Sequence, residues 1–418
     1  MIEGFSTMTR EQKIQVASEF TSQPSEFIRQ MHTNWKGELD DFTENAVSGF
    51  PLPYNLAPNF LVNGKEYIIP MVTEESSVVA AAASAAKFWY KKGGFTTRII
   101  GMTKAGHIHF MWNGDKEILF RMFEEIKPAM VDCVSSFTAS MRARGGGIQQ
   151  VTLQDMTDRL ENYFRAEVLF NTADAMGANF INTCLEKMSE FMVNRFEEQN
   201  TGRHIEVILS ILSNYTPGCR VECKVSCPAD EFDTEFLRRF ELAVNIASID
   251  MNRAVTHNKG IYNGVDAVML ATGNDFRAAE AAGHSWASSG GGYTSLSRLF
   301  LKPGLFEFII DIPLAVGVTG GLTSLHPMAK ASLALLGNPG AGELMSVAAS
   351  AGMANHFSAI KALITGGIQR GHMKLHLANI LNQLSAGISE KKEAFTWFHN
   401  KTVSYSDVKE FLSELRKR

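Results

Sequence analysis

Apolar and polar positions follow several rhythms along this chain, and each change of rhythm marks a new part. In the first 40 residues Gln12, Lys13, Glu19 and Arg29 are interleaved among apolar positions at helical spacing, which predicts a polar amphipathic helix forming a peripheral arm. The next stretch changes character. A loop punctuated by proline leads to an Asn63-Gly64 turn, a strand over 67–71 and an Ala-rich helix, with Glu74 and Glu75 between strand and helix. From Thr97 the pattern turns to short strands, then a helical stretch over 117–141 and a glycine run at 145–147. A strand over 166–171 leads into a helix start at Asp174, and another strand covers 204–211. Alternating β and α segments over about 110 residues predict a compact inserted α/β unit. Beyond Asn214 come long helices rich in Ala, Gly and Met, which pack closely as a large central core requires. After Gly367 a helical stretch with rising charge predicts a small C-terminal helical unit.

A length of 418 residues exceeds the usual single domain and implies two or three packed units. Forty Lys and Arg against 44 Asp and Glu give a net charge of -4, which argues against a polyanionic backbone as the main partner. The apolar run over 78–86 closes at Lys87, well short of the roughly 20 residues a membrane helix needs. The N-terminus carries Glu3 and Arg10 and no basic lead before an apolar run, so no secretory signal is expected and the expected location is cytoplasmic. Three of five cysteines, Cys219, Cys223 and Cys227, recur every fourth residue. Such residues share one face of a strand with Val221 and Val225, which favours buried thiols over a metal cluster.

Several signatures are missing from the sequence. There is no GxGxxG, GxxxxGK[ST], GxSxG or HExxH, so an ordinary Rossmann domain, a nucleotidase loop, a hydrolase elbow and a zincin helix are unsupported. His372 and His376 lie four apart without a third ligand nearby, and no metal is expected. Four segments carry chemistry instead. In MVTEESSVVAAA a carboxylate faces the start of a helix in apolar surroundings, where burial would fit it to donate a proton; the residues alone leave open a simple helix-terminus preference. In DAMGANFIN small residues at a strand-to-helix turn let backbone N–H groups approach a phosphate, or mark a helix start capped by Asp174. The segment NRAVTHNKGIYNGVDAVMLATGNDFRA brings Arg253, Lys259, Asn263 and Asp275 together. Those groups suit stabilisation of an oxyanion, or a buried structural ion pair. In IQRGHMKLH, His372 is placed to protonate a leaving thiolate, or lies idle on the surface.

Taken together, in this order, HNKG, ATGND, DAMGAN and RGHM resemble the hydroxymethylglutaryl-CoA reductases, specifically the soluble bacterial class II form, over nearly the whole chain. The resemblance implies an α+β protein: a large helical domain with a central helix, an inserted small ferredoxin-like α/β nicotinamide-binding domain, and a C-terminal helical flap. The implied boundaries are 1–100 and 212–366 for the large domain, 101–211 for the small one and 367–418 for the flap. Implied catalytic residues are Glu75, Lys259, its paired Asp275, and His372. Ser77, Asn214, Arg253 and Asn263 would hold substrate; Thr138, Asp174, Met176, Gly177 and Asn179 would lie along the cofactor. The implied reaction is a two-step hydride reduction of HMG-CoA to mevalonate and coenzyme A, across the interface of a homodimer or a multiple of dimers. The alternatives are oxidative breakdown of mevalonate with NAD and a catalytically silent relative that acts as an interaction protein. The family's usual Pro after the catalytic Glu is Ser76 here, a change in loop stiffness rather than chemistry. No acid stands near Thr138, where Arg142 and Arg144 are close by, which favours NADPH while leaving NADH possible.

Overall fold

One strand ties two cores together in the computed structural model, which describes residues 7–21, 23–33, 43–198, 205–365, 377–398, 401 and 403–417. The chain forms two compact units, Met1–Pro53 and Tyr54–Arg418. In the first, the single amphipathic helix expected from the pattern is instead two helices, α1 (Arg10–Ser18) and α2 (Pro24–Thr33). Thr9 and Gln12 close a capping box on α1, and Pro24 opens α2, where its missing N–H costs nothing.

The second unit begins with a hairpin of β1 (Tyr54–Val62) and β2 (Lys65–Val72). Asn63 and Gly64 both take positive φ at its turn, as a twisted two-residue hairpin loop demands. Helix α3 (Val78–Tyr90) follows, then β3 (Thr96–Trp112). Short strands were expected here, but β3 is one strand of 17 residues. Its glycines look like breakers and are close contacts instead. A Cβ on Gly101 would lie 2.5 Å from the Gly218 carbonyl oxygen, and one on Gly106 would lie 2.6 Å from Leu185 Cδ1.

The second half of β3 belongs to a small unit with α4 (Lys116–Asp132), α5 (Ser135–Ala143), β4 (Gly147–Asp155), β5 (Tyr163–Asn171), α6 (Ala178–Glu198) and β6 (Ile205–Leu212). Strand order β4-β5-β3, with β6 on the other side of β3, gives an antiparallel β-α-β-β-α-β arrangement of the ferredoxin-like kind. Its own core contains Phe110, Phe123, Phe164 and Met188. The first half of β3 pairs instead with β7 (Cys219–Pro228), which continues to β9 (Leu305–Pro313) and β8 (Ser297–Lys302). All three cysteines of β7 face inward with Val221 and Val225.

Against this sheet pack α7 (Thr234–Ile249), α9 (Phe276–Ala287) and α12 (Ala341–Thr365), while α8 (Met251–Ala271) packs on α12 and β2, α11 (Pro327–Leu335) on β2, and α10 (Leu322–Leu325) on α11. Every residue over 344–357 of α12 is buried, so this helix is the centre of the core. It meets α8 at Gly264 and Gly352. A Cβ on Gly264 would stand 2.3 Å from the Ala351 carbonyl oxygen, so only glycine permits the approach. The last helices, Ile388–Trp397 and Tyr405–Leu415, contribute to a separate small core containing Leu381, Ala394, Phe398 and Val408. Among the described residues no helix is long and apolar enough to cross a membrane.

Candidate active site

The turn after β2, the first half of α8 and the second half of α12 line a cleft of about 560 Å³ that contains Glu75, Ser77, Arg253, Lys259 and Asn263. Lys259 and Asn263 are one helical turn apart and so share a face. The Lys259 Nζ donates to Glu75 Oε2 at 2.7 Å. Their side chains remain 56% and 38% exposed, so this pair adds little to stability and is open to a bound molecule. The turn is held by the Glu75 amide, which donates to Thr73 Oγ1 at 3.1 Å. Ser77 then enters α3 with φ of +86° and makes no side-chain cap to the helix. A non-glycine residue held in that region stores strain, of the kind that collects at functional sites.

Arg253 is half-buried, and burial holds its guanidinium below the usual arginine range. Among the described residues no carboxylate pairs with it. Below it, His257, Ser297 and His356 form a buried cluster, with His257 Nε2 2.7 Å from Ser297 Oγ and 3.1 Å from His356 Nε2. Burial and the Arg253 charge push His257 down to about 3, and His356 lies well below the ordinary imidazole range for the same reasons with its neighbour added. Both rings are therefore neutral, which spares Arg253 a second cation beside it. The HNKG motif thus divides its labour. His257 floors the cleft, Asn258 pins the 293–296 segment through the Tyr293 hydroxyl and the backbone of Thr294 and Leu296, Lys259 faces the cleft, and Gly260 lets His356 approach.

Asp275 is not beside Lys259 in the same chain. Helix α8 continues for twelve residues beyond Lys259 before it ends at Ala271, about 18 Å at 1.5 Å per residue. Asp275 caps α9 from there, accepting from the Arg277 and Ala278 amides at 3.1 Å each. Besides Glu75, a second acid of the same chain, Asp266, feels the Lys259 charge, and the sequence did not single it out. It lies two turns beyond Lys259 on α8, in line with Asn263, and that i, i+4, i+7 spacing was the available signal. Burial first, and then contact with Glu280, raise its carboxyl to about 8, against the opposing pull of Lys259.

Asp174, Met176, Gly177, Asn179 and Asn214 gather in a second place. None of the cleft's lining residues comes from this group. Helix α6 begins at Ala178, not at Asp174 as expected. Asp174 instead serves α12: its Oδ1 accepts from the Ala341 amide at 2.8 Å, while its carbonyl accepts from Val318. Gly177 has φ of +88°, and a Cβ there would lie 2.5 Å from Thr172 Cγ2. Ala173, also left-handed at φ +47°, marks this loop as strained in the same way as Ser77. Asn179 is exposed on the first turn of α6. Met176 and Asn214 line a small cavity together with Lys104, Thr216 and Ala278, the last on the helix that Asp275 caps. The expected site residues therefore fall in two separate places on the chain. Thr138 belongs to neither: it is buried in α5, and its one hydroxyl proton is donated to the Ser135 carbonyl. His372 lies outside the described residues.

The profile of the hydroxymethylglutaryl-coenzyme A reductase family matches residues 9–377. An Archaeoglobus fulgidus protein named 3-hydroxy-3-methylglutaryl-coenzyme A reductase is 38% identical over 387 residues, covering 91% of this chain and 86% of the relative. A Borreliella burgdorferi protein described as a probable 3-hydroxy-3-methylglutaryl-coenzyme A reductase is 31% identical, covering 83% of this chain and 79% of its own. Among solved structures, the class II reductase of Streptococcus pneumoniae bound to NADPH superposes with a TM-score of 0.74 at 32% identity, over 87% of this chain and 99% of that one.

Proposed function

The chain belongs to the hydroxymethylglutaryl-coenzyme A reductase family, and from that premise we propose that it reduces HMG-CoA to mevalonate and coenzyme A with two equivalents of NADPH, NADH being the possible substitute. The observation that carries the reading is the Lys259–Glu75 pair at 2.7 Å, exposed in a cleft with an unpaired Arg253. A half-buried guanidinium with no carboxylate partner among the described residues suits the substrate's carboxylate, and Ser77 and Asn263 line the same cleft for hydroxyl and carbonyl oxygens.

The chemistry asked of these residues is proton and charge management. Hydride addition to a thioester carbonyl builds negative charge on oxygen, and the Lys259 ammonium is placed to stabilise it. Collapse of the resulting hemithioacetal releases coenzyme A as a thiolate. On the RGHM resemblance His372 protonates that thiolate, which removes the nucleophile that would reverse the step. Reduction of the aldehyde then needs one proton on oxygen, and Glu75, hydrogen-bonded to Lys259, is the group positioned to relay it. The bound nicotinamide supplies the hydride in each step.

Loop 172–178 fits the cofactor: backbone amides at the start of a 21-residue helix, a glycine that must stay glycine, and a buried ammonium beneath. With Lys259 in the first half of α8 and Asp275 beyond its C-terminal end, at the cap of α9, a complete site needs the cleft of one protomer and the loop and Asp275 of another, so the working unit is a dimer or a multiple of it. The domain reading follows: residues 1–100 and 212–366 bind substrate, 101–211 binds cofactor, and 367–418 closes over the site. The test is product analysis. Incubation with HMG-CoA and NADPH should yield mevalonate and free coenzyme A thiol in equal amounts; thiol without mevalonate would make the chain a thioesterase and overturn the proposal.

A further inference from the structure

Lys104 on β3 is only 4% exposed, yet it has no carboxylate partner among the described residues. Its Nζ donates to Thr172 Oγ1 at 2.5 Å and to the Ala175 carbonyl at 2.9 Å, which uses two of its three N–H groups. Both acceptors belong to the loop that runs from β5 to α6. An ammonium taken out of water without a counter-charge is costly, and proteins retain one where something pays for it. The same cavity holds a second unspent group. Thr216 is 5% exposed, and its Oγ1 has no hydrogen-bond partner. The N-terminal turn of α6 also borders this cavity through Ala178 and Ile181 and adds the positive end of a long helix. A buried cation, an orphan hydroxyl and a helix N-terminus converge under one strained loop, and all three suit a negatively charged ligand.

We propose that Lys104 is a positioning residue for cofactor affinity: its buried, uncompensated ammonium holds the 172–178 loop in shape and supplies the fixed positive charge by which that loop attracts the phosphates of a nicotinamide dinucleotide. The inference rests on the cofactor reading above. It differs from a purely structural pin in one respect, because a pin works equally well whether or not the nitrogen is charged, whereas an electrostatic role ends when the proton leaves. Burial pulls the Lys104 ammonium below the ordinary lysine range. Cys219 on β7 is the titratable neighbour whose field acts on it, and burial pushes that thiol up. Asp174 on the loop has its Oδ1 engaged by the Ala341 amide. A bound phosphate favours the charged lysine, so affinity should fall as pH rises through the lysine's own titration.

The experiment measures NADPH binding by protein fluorescence from about pH 7 to about pH 10, in wild type and in Lys104→Met. Methionine fills similar space without charge, and the Thr172 hydroxyl still donates to the Ala175 carbonyl at 2.6 Å to keep the loop closed. Wild type should lose affinity across that range, and the variant should bind about tenfold more weakly at pH 7, the scale of one charge-assisted contact, with no pH dependence left. Equal affinity within about twofold, or an unchanged pH slope in the variant, overturns the proposal. Should the variant fail to fold, wild type decides: NADPH and NADH must both weaken with pH while adenosine does not, and a flat NADPH profile overturns it. Wild type that binds no dinucleotide at all would refute the cofactor reading rather than this role for Lys104.

Discussion

Two inactive variants, mixed, should recover activity. Lys259→Ala removes the cation from the cleft, and Asp275→Asn removes the charge from the far end of α8 while keeping an N-cap, because asparagine caps as well as aspartate. Helix α8 sets about 18 Å between Lys259 and its own end, and a lysine side chain spans only about 6 Å. Lys259 and Asp275 of one chain therefore do not meet, and in the proposed dimer each site takes one from each protomer. After dissociation and random reassortment of equal amounts, half the dimers are mixed. In each mixed dimer one site has lost both groups and the other has both intact. Recovery should then be about one quarter of wild-type activity, read as oxidation of NADPH with saturating HMG-CoA. A mixture no more active than its parents would refute the shared site. Full activity in Asp275→Asn alone would refute the role of that carboxylate.

Other substitutions separate chemistry from stability. Glu75→Gln should lower kcat by about 10²- to 10⁴-fold, the range of a lost acid–base group, while changing stability by less than about 1 kcal/mol, because the ion pair it breaks is exposed; thermal melting beside steady-state kinetics checks both. Gly264→Ala pushes a methyl to 2.3 Å from a backbone oxygen of α12 and should cost about 2–3 kcal/mol, seen as a lowered urea midpoint. Asp266 has its folded carboxyl raised to about 8 from an unfolded value of about 3.9, so the folded state holds the extra proton. Stability should fall as pH rises between those two values, and Asp266→Asn should flatten that part of the melting profile. An unchanged profile in the variant would show that Asp266 titrates normally.

How much of this could be read from the chain depended on whether the information was local. The Asn63-Gly64 turn and the inward face of Cys219, Cys223 and Cys227 follow from backbone geometry and period two, and both are present. Short strands were expected where β3 runs unbroken, because a glycine chosen for close approach to another backbone or side chain, as at Gly101 and Gly106, is spelled like one chosen for a turn; only the partner, Gly218 or Leu185, tells them apart. Asp174 satisfies the local rule for a helix cap, yet the helix it serves is α12, and its amide partner at Ala341 lies 167 residues away in sequence. The site motifs were legible as residue types but not as places. Lys259 and Asp275 lie close in sequence, yet twelve residues of rigid helix run between Lys259 and the end of α8 before Asp275 is reached, so that spacing means separation. Lys104 and Asp266 were missed because nothing in a sequence marks a buried charge; burial is a property of everything packed around it.

The most direct test of the central claim is stoichiometry. Purified protein with limiting HMG-CoA and excess NADPH should oxidise two NADPH for each coenzyme A thiol released, beside a Lys259→Ala control that oxidises none. A ratio of two would show that both hydride steps run on this chain. Thiol released with no NADPH oxidised, or a control as active as wild type, would contradict the account.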